Sequence, residues 1–489
     1  MNIADRSGNI QFGGAMGGSG GRPVSQGPFR ILVMGDFSGR QNRGICDPSA
    51  DRKPLSVDVD SIETRLEKLN VALALNMPGA DEPLNLTFKE LEDLHPDRIY
   101  AQTAVFDELK QLRRRLLDPA TFPEAAAQIK SWADTPAPPQ PDPVPQPEPE
   151  VGADQAAESG ADLMGSLLDK PVTPSKESAR VVGSPAVDKF IKNIVGPHII
   201  DAPNPEAATL ATAVDKAAAA QMGAILHHPD FQALESAWRG LDFLVRNLET
   251  DEALTLHFLD LSQEELVSSL TSGGGSINKV LVEDTVGTPG GMRWSLVTGL
   301  YTFGESETGR LCVRSLAEIA AKGGCAFVAG AEYVPGKTDE APDTDAAAQF
   351  PGASRIALVA PRMLMRLPYG SDTEPVDCFD YEEMPDGPDQ SRYLWGNAAV
   401  GCACLLGKAY TDFGDPLAVD AERDLDDLPI HIYKIDGERR TTQPGEYLLT
   451  DNQAENVAAH GITVLRAVKA QNIVRFEQIR SVANTALQV

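Results

Sequence analysis

Cysteine, cationic charge and long apolar runs are all scarce in this sequence, and each shortage excludes something. The six cysteines, Cys46, Cys312, Cys325, Cys378, Cys402 and Cys404, are scattered through 489 residues without framework spacing. That excludes a disulfide-stapled scaffold and fits reduced thiols. Cys402 and Cys404 stand in an Ala-rich apolar run with no nearby His, so core packing is expected there rather than a metal site. Lys and Arg number 43 against 71 Asp and Glu, a formal net charge of −28. A field of that sign disfavours nucleic acid and anionic membranes and leaves proteins as the expected partners. Tyr393 to Gly407, as long an uncharged stretch as the chain has, falls short of the roughly 18–20 residues that cross a bilayer. It reads as a buried helix, and no membrane insertion is expected. Residues 1–27 are polar and Gly-rich with no apolar secretory core, so a cytoplasmic location is expected. No Gly-x-Ser-x-Gly follows a strand signal as a nucleophile elbow would, and no cysteine has a nucleophile signature, so covalent catalysis has no foothold and no enzyme is expected.

What is abundant is proline in one place. Pro136, Pro138, Pro139, Pro141, Pro143, Pro145, Pro147 and Pro149 fall at nearly every second residue. Each lacks an amide donor and fixes φ, so the segment predicts an extended spacer between two folded parts. The organisation expected is a disordered Gly-rich arm (1–27), a small α/β domain (28–132), a Pro-rich linker (133–160), tethered short helices (161–204) and a larger α/β domain (205–489). The class is mixed α/β.

In the first part, Ile31-Leu32-Val33-Met34 predicts a buried strand. Ile62, Leu66, Leu69 and Leu73 mark one helix face, Leu84, Leu86 and Phe88 alternate as a strand, and Val105, Leu109, Leu112 and Leu116 form a second amphipathic face. Arg113, Arg114 and Arg115 beside it predict a solvated basic face, with pairing to an acidic surface as the alternative. In the second part, Phe231, Leu234, Trp238, Leu241, Val245 and Leu248 recur at three- and four-residue steps and predict a long helix. Leu254, Leu256 and Phe258 alternate as a strand, and Ser262 with Glu265 has the spacing of a capping box. Strands are expected at 294–303, 325–329, 356–359 and 428–433, and helices near 311–322 and 393–409.

Candidate sites are few. Ala331 to Thr338 satisfies a loose Walker A spacing after a strand, with Gly336, Lys337 and Thr338 at its end. A phosphate loop needs a helix at the Lys-Thr pair. Asp339, Glu340, Pro342, Asp343 and Asp345 follow instead, so an acidic surface loop is expected, with nucleotide binding as the competing reading. His227-His228 before Pro229 predicts a loop or helix-capping role. The run Asp372, Glu374, Asp377, Asp380, Glu382, Glu383, Asp386, Asp389 predicts a solvated or partner-facing acidic loop.

Several segments resemble a known family. The stretch from Ile225 through His227, His228, Pro229, Phe231, Leu234, Glu235, Trp238, Arg239, Gly240 and Leu241 to Val245 resembles the large contractile-sheath subunit of bacterial type VI secretion systems. The same family is echoed by Ala360 to Gly370, Phe379 to Glu383, Tyr393 to Ala399 and Asp427 to His431. Ile31 to Gly39, Leu86 to Asp97 and Leu109 to Arg113 are similar to the small sheath subunit, so the chain resembles a fusion of both. The resemblance implies a structural, non-enzymatic component with no cofactor, metal or catalytic residue. In that family the two subunits pair and stack into a hollow helical tube around an inner tube, which contraction drives outward. Other sheath subunits, the inner-tube protein, baseplate components and a AAA+ disassembly ATPase are the partners implied. Asp162 to Asp169 is similar to the short helix that this ATPase recognises, which makes Leu163, Leu167 and Leu168 the partner-contact candidates. Gly299-Leu300-Tyr301-Thr302-Phe303 departs from the family's strand, and an acidic stretch at Val419 to Asp427 replaces its Gly-rich insertion. The chain also ends early relative to large subunits. These departures leave an accessory or capping sheath paralogue as the alternative reading.

Overall fold

β1, Phe29–Gly35, is the strand on which the fold is built. Ile31, Leu32, Val33 and Met34 are completely buried, as a strand is when both faces of its sheet are covered. Ile31 and Val33 enter one apolar core, and Leu32 and Met34 enter the other. The computed structural model describes residues 27–45, 52–133, 191, 194, 207–338, 349–435 and 437–489. The Gly-rich arm up to residue 26, the proline-rich spacer, Leu163, Leu167, Leu168 and the acidic residues 339–345 lie outside the described residues.

The first part continues through β2 (Leu55–Ser56), α1 (Ile62–Leu69), the antiparallel pair β3 (Val71–Leu75) and β4 (Leu84–Phe88), α2 (Pro96–Gln102), α3 (Ala104–Leu117) and α4 (Phe122–Ala133). The second runs α5 (Ala207–Leu226), α6 (Pro229–Asn247), β5 (Leu254–Asp260), α7 (Gln263–Thr271), β6 (Leu296–Phe303), α8 (Glu307–Gly323), β7 (Ala326–Ala331) and β8 (Ile356–Ala360). It ends with β9 (Met363–Leu364), β10 (Trp395–Gly396), α9 (Ala399–Phe413), β11 (Asp424–Leu425), β12 (Ile432–Ile435), β13 (Glu438–Thr441), α10 (Asp451–Ala459), β14 (Ile462–Ala467) and β15 (Val474–Phe476).

The two parts share one sheet. Its nine strands run β11-β15-β14-β8-β7-β6-β1-β5-β2. From β14 to β5 they are parallel, with antiparallel strands at both margins. β1 pairs with β5 over its whole length, Phe29 opposite Leu254 through Gly35 opposite Asp260, and with β6 from Ile31 opposite Leu296 to Met34 opposite Gly299. A strand from before the spacer thus lies between two strands that follow it. On one face, α6 and α9 cover the sheet through Trp238, Leu241, Val400 and Leu405; on the other, α7 and α8 do so through Leu266, Leu270, Cys312 and Leu316. The small α/β elements α1 to α4 pack into the first of these cores.

Most of the periodic expectations correspond to elements, and the departures have local causes. The helix read through Leu73 stops at Leu69, because Asn70 adopts the left-handed conformation (φ 52°) and donates its amide to Glu67 O. Leu73 then belongs to β3. The strand read at 428–433 is displaced to Ile432–Ile435, which pairs with β13 in a separate hairpin. Ser262 and Glu265 make both bonds of a capping box at the start of α7. Among the described residues, no helix is long and apolar enough to cross a membrane.

Cutting the chain at a protease site placed within 134–206 is expected to leave two fragments that co-elute in gel filtration. Separation without denaturant would contradict the shared sheet.

Candidate assembly interface

Several of the segments singled out by resemblance meet in space where the two parts of the chain join. At the end of β1 the chain turns through Asp36-Phe37-Ser38-Gly39. Asp260, at the end of β5, accepts from the amides of Phe37 (2.9 Å) and Ser38 (3.1 Å) and from the Ser38 hydroxyl (2.7 Å). Trp238 on α6 donates its indole N–H to Phe37 O at 2.7 Å, and the Phe37 ring meets Trp238 and Phe258 edge-on. Arg40 pairs with Asp260 and Glu265, and Arg52 adds a second cation on Glu265. Gly39 has φ +71°, and a Cβ there would lie 2.3 Å from Ala72 O. Only glycine fits this turn.

A second layer is ionic and almost dry. Arg366 donates from Nε to Glu235 (2.8 Å) and from Nη1 to Glu383 (2.8 Å), and all three side chains are within 3% of complete burial. Arg239 donates to Glu235 (2.8 Å) and to the Tyr369 hydroxyl (3.1 Å). Glu383 also accepts from the Tyr369 amide (2.8 Å), and His227 Nε2 lies 3.0 Å from it. Two guanidinium groups thus face two carboxylates. Burial alone would lower the Arg366 guanidinium, but Glu235 and Glu383 override it and hold it well above its ordinary value. Burial alone would raise Glu383; Arg366, His227 and the Tyr369 amide bring it down to about 2. The run 372–389 is therefore not uniformly solvated, since Glu383 and Tyr381 are buried within it.

The small-subunit-like motif docks beside this layer. The His95 ring meets Tyr369 edge-on, Tyr100 stacks on Phe379 at 4.8 Å, and the Asp97 carboxylate accepts from the amides of Asp377 (3.1 Å) and Cys378 (2.8 Å). His95 and His228 cap the helices that follow them, each Nδ1 accepting from the amide of Asp97 or Asp230. Elsewhere, Tyr393 bonds to His431 at 2.8 Å, and Asn397 donates to Tyr301 O on β6. Arg113 pairs with Asp215 on α5, so part of the basic triplet also crosses the joint.

Beyond the joint lies an open crevice of about 910 Å³ at the carboxyl ends of β1 and β5. Parallel sheets commonly bind ligands there. This crevice, however, is lined by Asp36, Asp230 and Glu264 over an apolar floor that includes Leu73 and Val267, with no Lys or Arg in its lining. That chemistry suits cations and repels phosphate.

The Walker-like loop closes on itself. Lys337 and Thr338 donate their amides to Val334 O, and the Thr338 hydroxyl accepts from the Val334 amide. The Lys337 and Thr338 amides that a phosphate would need are thus already used. Cys402 and Cys404 sit inside α9, where burial pushes both thiols up to about 12. Among the described residues no group of three or more His, Cys, Asp and Glu side chains could hold a metal ion.

Comparison with known proteins agrees with the motifs. The family described as EvpB/VC_A0108, tail sheath N-terminal domain, matches residues 208–336 and 348–483, more than half of the chain. The family described as type VI secretion system, VipA, VC_A0107 or Hcp2, matches residues 9–126. Among curated relatives, the type VI secretion system sheath protein TssC1 of Pseudomonas aeruginosa is 31% identical over 306 residues, 57% of this chain and 61% of the relative. The sheath protein TssB1 of the same organism is 28% identical over 103 residues, 19% of this chain and 58% of the relative. The chain thus spans less than two thirds of the length of either relative.

Arg366→Met leaves Glu235 and Glu383 buried without their shared cation, and a loss of about 3–5 kcal/mol in unfolding free energy is expected from denaturant titration. The depressed Glu383 contributes stability that is present above the unfolded carboxyl value of 4.5 and is lost as pH falls towards about 2. Stability measured from pH 7 to 2 is expected to fall less steeply below 4.5 in Glu383→Gln.

Proposed function

We propose a function from this premise: the chain belongs to the tail-sheath family of type VI secretion systems, a family of structural, non-enzymatic proteins. In our reading it is a sheath component that carries its small-subunit-like and large-subunit-like parts in one polypeptide. It works in the cytoplasm, assembling through protein contacts around an inner tube whose expulsion delivers effectors.

The observation that carries this reading is β1, a strand of the small-subunit-like part held between β5 and β6 of the large-subunit-like part. A sheath must transmit force between subunits without losing its pairing, and parallel backbone pairing buried on both faces suits that demand. The partners that the reading calls for are other sheath subunits, an inner-tube protein and baseplate components. It assigns Leu163, Leu167 and Leu168 to contact with a AAA+ disassembly ATPase. The charge of −28 adds a condition, because an assembly of such acidic chains depends on meeting cations of neighbours with acidic loops.

The test is electron microscopy of the purified protein, alone and with any small and large sheath subunits from the same cell. Tubes containing the chain are expected, and association is expected to weaken as ionic strength rises. Caps on tubes made by other subunits would assign the accessory role. Absence from every tube would end the reading.

A further inference from the structure

The hairpin of β12 and β13 is the least explained element of the fold. Among the described residues it pairs only with itself, apart from the large sheet, and a two-stranded ribbon alone is marginal in water. Its register places Lys434 directly opposite Arg439, and Ile432 opposite Thr441, on one face. Like charges directly opposite each other destabilise a ribbon. Neither Lys434 nor Arg439 forms an ion pair with a carboxylate among the described residues. Both are exposed, and Ile432 beside them is 55% exposed. The face therefore carries two cations with no carboxylate paired to them among the described residues, next to a bare aliphatic side chain.

The crevice at the ends of β1 and β5 has the complementary chemistry. Asp230 and Glu264 line it, Leu73, Leu234, Ala237, Val267 and Leu300 supply apolar surface, and no described residue of the hairpin lines it. Its volume of about 910 Å³ is in the range of roughly 300–1,000 Å³ that accepts a ligand or a few side chains. The geometry points to a head-to-tail contact between copies of this chain, in which the Ile432, Lys434 and Arg439 face of one hairpin seats in the Asp230 and Glu264 crevice of the next. A contact between two different surfaces leaves one of each unused at the ends, so it propagates as an open array instead of closing as a two-fold dimer. The second copy is favoured over another partner because both surfaces are present on the same chain with opposite charge.

This inference rests on the sheath reading and names the surfaces through which copies meet. The test uses two reversed full-length chains, Lys434→Glu with Arg439→Glu, and Asp230→Lys with Glu264→Lys, each checked for an unchanged circular dichroism melt. Sedimentation velocity at low ionic strength reads the association. Wild type is expected to self-associate, each reversed chain to do so roughly tenfold more weakly, and an equimolar mixture of the two to recover association, because each reversed surface then meets its complement. If a reversed chain melts early, Lys434→Gln with Arg439→Gln is expected to give the same weakening. Wild-type assembly that survives hairpin reversal overturns the inference while leaving the sheath reading intact. So does an equimolar mixture that stays dissociated, or weakening confined to the hairpin variant, which would give that hairpin a different partner. A wild type that is monomeric at every concentration, with no sheath subunit recruiting it, overturns both.

Discussion

Every part of this molecule depends on the placement of one strand between two others far from it in sequence. β1 exchanges hydrogen bonds with β5 on one side and β6 on the other, so neither part completes its backbone pairing alone. An unpaired amide or carbonyl in that position would be buried, and buried unpaired backbone groups are costly. The core follows from this pairing. Ile31 and Val33 reach the layer of α6 and α9, and Leu32 and Met34 reach the layer of α7 and α8. One strand thus fastens both faces.

Much of the fold was legible because its elements obey simple periods. The stripe from Phe231 to Leu248 predicted α6, whose bounds are Pro229–Asn247, and the Ile-Leu-Val-Met run predicted β1. The sheet order was not legible, because a period of two says that a strand is buried without saying beside what. Asn70 shows a finer limit. The apolar spacing of Ile62, Leu66, Leu69 and Leu73 is helical throughout, and only the left-handed backbone at Asn70 divides it. Gly461 opens β14 in the same left-handed region, after the short α10. Neither α10 nor β14 stood out in the sequence.

The joint was legible only through resemblance. Glu235, Arg239, Arg366 and Glu383 are charged, and charge in a sequence ordinarily reads as solvent-facing. The burial of Glu235, Arg366 and Glu383, with Arg239 half-buried beside them, follows from mutual neutralisation, which needs the full set at once and leaves no local signal. A buried ion pair contributes little net stability over well-packed apolar residues. What the set does is hold the segment from Met365 to Glu383 in one arrangement on α6, where His95, Asp97 and Tyr100 dock against it. The same reasoning separates this joint from the Walker-like loop, whose residues have the right letters but spend the Lys337 and Thr338 amides on Val334 O.

The covalent connection between the two parts also alters their mass action. Two separate subunits must find each other at whatever concentration the cell supplies, and an excess of either is left with an open sheet edge. In one chain the partner strand arrives at an effective concentration set by the connecting segment, and dilution leaves it unchanged. The ratio of the two parts is one to one by synthesis. Unequal expression therefore cannot leave β5 and β6 with an unfilled gap between them, and the pairing step becomes a folding event in place of an encounter.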